Sequence, residues 1–110
     1  LETPIIGAAS PDEGLAAGKM MWPHGFQLRH IALDPGVESK KHSRSEEEVI
    51  LVQKGSLTVC FDEGDAELVA GDVLTVPIGK PRIFCNKSAE LVEAYIVRGG
   101  DHPAPPLLLD

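Results

Sequence analysis

Two runs of fixed spacing constrain this chain more than anything in its composition. The first begins at Gly36 and continues after five residues to His42, after one to Arg44, after three to Glu48 and after six to Gly55. The second begins at Gly71 and reaches Pro77, Gly79, Arg82 and Asn86 across gaps of five, one, two and three residues. Glycine tolerates the positive φ that tight turns demand, so Gly36, Gly55, Gly71 and Gly79 mark predicted turns. Pro77 ends a strand and fixes φ on entry to the next turn. Asn86 can tie its side chain to nearby backbone and pin a corner. A chain that turns this often has room only for short strands.

Between the turns lie segments rich in Val, Ile, Leu, Thr or Phe, and strands are predicted over residues 26–33, 48–53, 56–61, 67–69, 73–76, 82–86 and 91–98. Asp62-Glu63-Gly64-Asp65 reads as a hairpin loop. Residues 26–98 offer no long amphipathic helix. Ser10 and residues 11–18 are compatible with a single capped helical turn. The tail, 99–110, is rich in Gly and Pro over 99–106 and is expected to run without regular structure over the surface or toward a neighbouring domain. At 110 residues the chain is expected to be one all-β domain, a sandwich or barrel, with its motif core at about 26–98.

Strand parity then gathers a pocket. Residues two apart on a strand share a face, so His42, Arg44 and Glu48 are expected on one side, with Ile50 and Val52 closing an apolar floor beyond them. Arg82 and Phe84 form the matching pair from the second run. A few converging polar groups over apolar lining is the usual make-up of a small-molecule site.

The two spacings together resemble the paired motifs of the cupin superfamily, G-x5-H-x-H-x3,4-E-x6-G and G-x5-P-x-G-x2-H-x3-N. The resemblance covers residues 26–98 and implies a double-stranded β-helix, the jelly-roll barrel, assembling as a homodimer. In that family three histidines and the glutamate hold a metal. Here Arg44 and Arg82 stand at two of the histidine positions, leaving His42 and Glu48. A guanidinium stays protonated and has no lone pair to give a metal. Two ligands also fall short of the three or more that hold catalytic zinc or iron. No cofactor is therefore expected, and the alternative is a divalent metal on His42, Glu48 and His30. Cys60, if it faces inward, is a further candidate, while His24 and His102 fall in loops.

Two arginines facing into a barrel offer paired donors for a carboxylate or phosphate, which points to a small anionic metabolite as partner. The ligand-binding candidates are Arg44, Arg82, His42, Glu48 and Phe84. The competing reading makes Arg44 or Arg82 a structural salt bridge to Glu48, since buried charges need partners. A third reading is an enzyme. His42 would then act as a base beside Glu48, either in a metal-free sugar isomerase or epimerase or in a metal-dependent dioxygenase, decarboxylase or isomerase. Glu46 and Glu47 are expected in a solvated turn.

Composition trims the remaining classes. Seventeen acidic against ten basic side chains give a formal charge of −7, which disfavours nucleic acid and anionic membrane as partners. No apolar run is long enough to span a bilayer, and Glu2, Pro4 and Asp12 interrupt any leader-like segment. Cys60 and Cys85 lack a C-x-x-C spacing and are read as small buried hydrophobes in a reducing, cytoplasmic setting. Met20, Met21 and Trp22 are read as cover for apolar surface, or as a dimer contact. The start at Leu1 and the Pro-rich tail suit a domain covalently fused to another, an accessory or sensing unit.

Overall fold

Alternating burial organises the long elements of the computed structural model, which describes residues 2–4, 26–99 and 105–109. Strand β2 (Phe26–Leu33) buries Gln27, Ile31 and Leu33, β4 (Glu48–Lys54) buries Glu48, Ile50 and Val52, and β9 (Val92–Gly99) buries Val92, Ala94, Ile96 and Arg98. With β1 (Glu2–Pro4) and β7 (Val73–Val76) these make an antiparallel sheet in the order β1-β2-β9-β4-β7. A second sheet runs β6 (Gly64–Val69), β5 (Ser56–Phe61), β8 (Ile83–Cys85). A pair formed by β10 (Leu107–Leu108) and β3 (His42–Ser43) joins its β8 edge through a bridge between His42 and Arg82.

The two layers close on one core. Ile31, Leu33, Ile50, Val52, Val76 and Ile96 come from the first layer and Leu57, Val59, Leu68 and Phe84 from the second. This is the jelly-roll barrel expected from the paired spacings. No helix among the described residues is long and apolar enough to cross a membrane.

The chain crosses from one layer to the other at Gly55, between β4 and β5. Its φ is 82°, and a Cβ there would stand 2.5 Å from the Leu91 carbonyl oxygen and 3.2 Å from Val92. Only a residue without a side chain fits both the turn and the close approach. The other three motif glycines also take positive φ.

Predicted and observed strands coincide at β2, β5 and β7, and β4 runs one residue further than expected. Strand β6 starts at Gly64, so only Asp62 and Glu63 remain as a two-residue hairpin turn. Two short strands correct the sequence reading. β1 pairs with β2, and β10 recruits part of the tail expected to be irregular, with the Leu109 amide donating to the Lys41 carbonyl at 2.8 Å. The helical turn expected at 11–18, and Met20, Met21, Trp22, His24 and His102, lie outside the described residues.

Candidate functional site

The two motif segments are laced together by their backbones, and this places their side chains. The Gly36 amide donates to the Asn86 carbonyl at 2.8 Å and the Asn86 amide to the Val37 carbonyl at 2.9 Å. His42 and Arg82 exchange both amide-carbonyl bonds, at 3.0 and 2.9 Å, and the Gly79 amide reaches the Arg44 carbonyl at 2.9 Å. Asn86 pins the far corner: its Nδ2 donates to the carbonyls of Leu33 (2.9 Å) and Glu90 (2.7 Å), while its Oδ1 accepts from Ser88. The motif residues are thus scaffold first, and they bring position 42 opposite position 82.

At the inner face Glu48 is fully buried among three guanidiniums. Arg98 Nε donates to its Oε2 at 2.7 Å, Arg44 Nε lies 3.3 Å from the same oxygen, and Arg82 Nη2 lies 3.7 Å from Oε1. The last distance is an ion pair but too long for a hydrogen bond. Arg82 is completely buried, and its Nε, Nη1 and Nη2 have no hydrogen-bond partner among the described residues. Burial pulls the Arg82 guanidinium below its ordinary value, the nearby Glu48 opposes that, and the charges of Arg44 and Arg98 add to it. Arg44 also lies 4.0 Å from Glu46.

Beside this cluster opens a cavity of about 270 Å³. Its polar lining includes His42, Arg44 and Arg98, with Ser39 and Lys40 at hand, and its apolar wall is Ile31, Ile96, Phe84, Pro106 and Leu108. His42 sits edge-on to the Phe84 ring at 5.5 Å between centroids. Its Nδ1 is 2.7 Å from the Lys40 carbonyl oxygen. A carbonyl can only accept, so Nδ1 carries the proton and the neutral ring keeps its lone pair at Nε2. Burial holds the His42 pKa below 6.5; the Lys40 bond opposes this, Arg82 and Arg44 reinforce it and Glu48 opposes it.

Several sequence candidates fall elsewhere than expected. His30 points to the opposite face of β2, where Nε2 meets Glu93 Oε1 at 3.1 Å and the ring lies 5.2 Å from Tyr95. It is even-numbered on a strand whose inward residues are odd. Cys60 shares the outward parity of Thr58, since Leu57 and Val59 are the core residues of β5. Its Sγ is 3.8 Å from Cys85, both thiols are free, and burial together with that contact pushes Cys60 up to about 11. Glu46, expected in solvent, has a side chain only 10% exposed beside Arg44. Ile50 and Val52 face inward but belong to the packed core, and Arg82 stands by Glu48 without lining the cavity. Arg98 takes the cavity position instead. The sequence reading missed it, although the run Val92, Ala94, Ile96 puts residue 98 on the inward face.

The metal implied by the resemblance does not fit this donor set. The Glu48 oxygens face three positive charges, which would repel a cation, and among the described residues His42 is the only imidazole lining the cavity. Among the described residues no three His, Cys, Asp or Glu side chains come together.

A double-layered antiparallel barrel that carries His42, Arg44, Glu48 and Arg82 of these two spacings on its inner face is of the cupin class. The cupin domain model, Cupin_2, matches residues 29–98, and the chain belongs to that family. Solved structures agree on the fold. The polyketide cyclase RemF from Streptomyces resistomycificus superposes with a TM-score of 0.70 at 23% identity, over 78% of this chain and 61% of that one. A cupin 2 conserved barrel domain protein from Salinispora arenicola gives 0.65 at 26%, over 73% and 70%. The DMSP lyase DddQ from Ruegeria pomeroyi gives 0.70 at 19%, over 76% of this chain and only 43% of that one. A comparison with curated protein sequences gave no match.

Proposed function

We propose that this cupin domain binds a small anionic molecule in its barrel, as a sensing or accessory unit. One observation carries the reading: Arg44 and Arg98 line the cavity and, with Arg82, gather around the buried carboxylate of Glu48. Guanidiniums gathered beside a cavity are planar, paired donors of the kind that recognise a carboxylate or phosphate. A salt bridge to Glu48 is present as well, but a purely structural role needs only one arginine, not three. Isothermal titration with carboxylates and phosphates is the test. Binding without turnover, weakened at least tenfold by Arg44→Ala, supports the reading. No heat and no shift in melting temperature with any small anion would sink it.

The second reading is an enzyme, and the fixed tautomer of His42 favours it. A neutral imidazole with its lone pair at Nε2, lining a cavity beside two arginines, is equipped to take a proton from a carbon whose developing charge the guanidiniums stabilise. The barrel houses catalysis in other chains, as the names of the cyclase and lyase neighbours indicate. Proton NMR in deuterium oxide separates the readings. Exchange of a C–H of a bound acid, lost in His42→Ala while binding persists, would make the protein a catalyst.

A further inference from the structure

We propose that His42 makes the cavity selective for a hydroxy acid, an anion whose own O–H donates to Nε2 of His42; this rests on the anion-binding function proposed above. The ground is which lining groups donate and which accept. The polar side chains lining the cavity are Ser39, Lys40, His42, Arg44 and Arg98. Lysine and arginine can only donate, whatever partners they already hold within the protein. The Ser39 hydroxyl is engaged at both ends: it donates to the Lys40 carbonyl at 3.1 Å, and its oxygen accepts from the Phe84 amide at 2.9 Å. His42 gives its proton to the same Lys40 carbonyl, with Nδ1 at 2.7 Å, and among the described residues the ring makes no other hydrogen bond. Burial holds its pKa below 6.5, so at about pH 7.5 the ring is neutral and Nε2 is an acceptor. The Phe84 ring, edge-on at 5.5 Å between centroids, and the Lys40 bond together fix the direction of that lone pair.

The polar half of the cavity thus sets one uncommitted side-chain acceptor among donors. A carboxylate without a proton to give suits the donors, but it strips water from Nε2 and leaves that lone pair with nothing to bond. A hydroxyl on the same molecule supplies the missing proton. A site built to bond a hydroxyl rejects the analogue that lacks it, because the enclosed partner is then left unpaired. An ammonium group would donate as well, yet it would stand among Lys40, Arg44 and Arg98, and no carboxylate among the described residues lines the cavity. The donor that fits is a neutral one.

The test is calorimetric titration of the full chain at about pH 7.5. One set of probes is mandelate, phenylacetate and α-fluorophenylacetate; a smaller set is lactate, propionate and α-fluoropropionate, with inorganic phosphate as a further anion. Fluorine is close to a hydroxyl in size and cannot donate, so it separates the proton from the bulk. The hydroxy acid of at least one set should bind about tenfold more tightly than its deoxy and fluoro partners, the effect of roughly one hydrogen bond. His42→Phe should erase that ratio while the deoxy acid keeps its affinity, whereas a merely structural histidine would weaken all three acids alike. In the wild-type protein the nitrogen NMR resonance of His42 Nε2 should move with the hydroxy acid and not with the fluoro acid, a readout that needs no variant to fold. Equal binding within both sets, a ratio that survives in His42→Phe, an unmoved Nε2 resonance, or binding of phosphate alone would overturn the selection by His42 while leaving an anion site. No heat with any of these acids or with phosphate would overturn both.

Discussion

Glu48 holds one negative charge against three positive ones with none of its side chain exposed, so its neighbours depend on it more than it depends on them. Replacing it by alanine takes the Glu48 carboxylate from three guanidiniums, two of them, Arg82 and Arg98, buried. We expect Glu48→Ala to lose about 3–5 kcal/mol in urea unfolding, the range for breaking one side of a buried pair. Glu48→Ala combined with Arg98→Met should recover part of that loss, because it removes a stranded charge as well as its partner. Independent, additive losses in the double variant would show that the contact seen at 2.7 Å does not couple the two residues. His42 gives a pH signature of opposite origin. Its folded pKa is depressed below 6.5, so the unfolded chain takes up a proton first as pH falls. Stability from this group is therefore full above about pH 6.5, declines below it, and levels off once pH passes the folded pKa. His42→Asn should remove that component of the slope between pH 7 and 5, measured by chemical denaturation. At this scale the motif spacing pointed to His42, Arg44, Glu48 and Phe84, but not for the reason of shared parity. Strand β3 ends at Ser43 and β4 begins at Glu48, with bends between, so the expected single strand through all three motif positions is not formed. The spacing did not disclose Arg98, because no motif spacing points to β9; the signal was a charged residue where the alternation of Val92, Ala94 and Ile96 demands an inward side chain. His30 shows the converse limit. Parity transfers along one strand, but between strands it needs the register, which the sequence does not state.

Among the elements, the crossing from β4 to β5 is the one most tightly held by a single residue. Gly55→Ala must force a Cβ against the Leu91 carbonyl, which is backbone and cannot swing aside, while also adopting a φ of 82°. Left-handed backbone costs about 1–2 kcal/mol and overpacking about 1–3 more, so thermal or urea unfolding should show a loss of roughly 2–5 kcal/mol. Gly36→Ala shares the positive φ but meets nothing within 4 Å, so it should show only the first part. Equal losses at the two positions would mean that the close approach to Leu91 relaxes freely. The same comparison explains what was legible at this scale. Strands β2, β5 and β7 were readable because each is a run of strand-forming residues ending at a turn signal. Strands β1 and β10 were not, because each is two or three residues long and exists only through a partner far along the chain, Arg29 to Ile31 for one and His42 to Ser43 for the other. The cost of that blindness was functional, since Pro106 and Leu108 line the cavity.

Taken whole, an acidic chain encloses a group of arginines. The chain carries −7 overall, yet three guanidiniums gather around Glu48 and Glu46 among the described residues. An anion approaching from solvent is therefore repelled at a distance and attracted only once inside, the reverse of a surface patch that gathers anions by its outer field. Salt acts differently on the two. Raising ionic strength from about 10 to 150 mM shortens the screening length from about 30 to 8 Å, which weakens the exterior repulsion. Pairs buried beside a narrow cavity are screened far less. Affinity for a small carboxylate should thus hold or rise across that range, measured by calorimetry with benzoate in sodium chloride. A tenfold fall would place the binding groups on the surface or show chloride taking the arginines, and the enclosed-cluster account of this barrel would then fail.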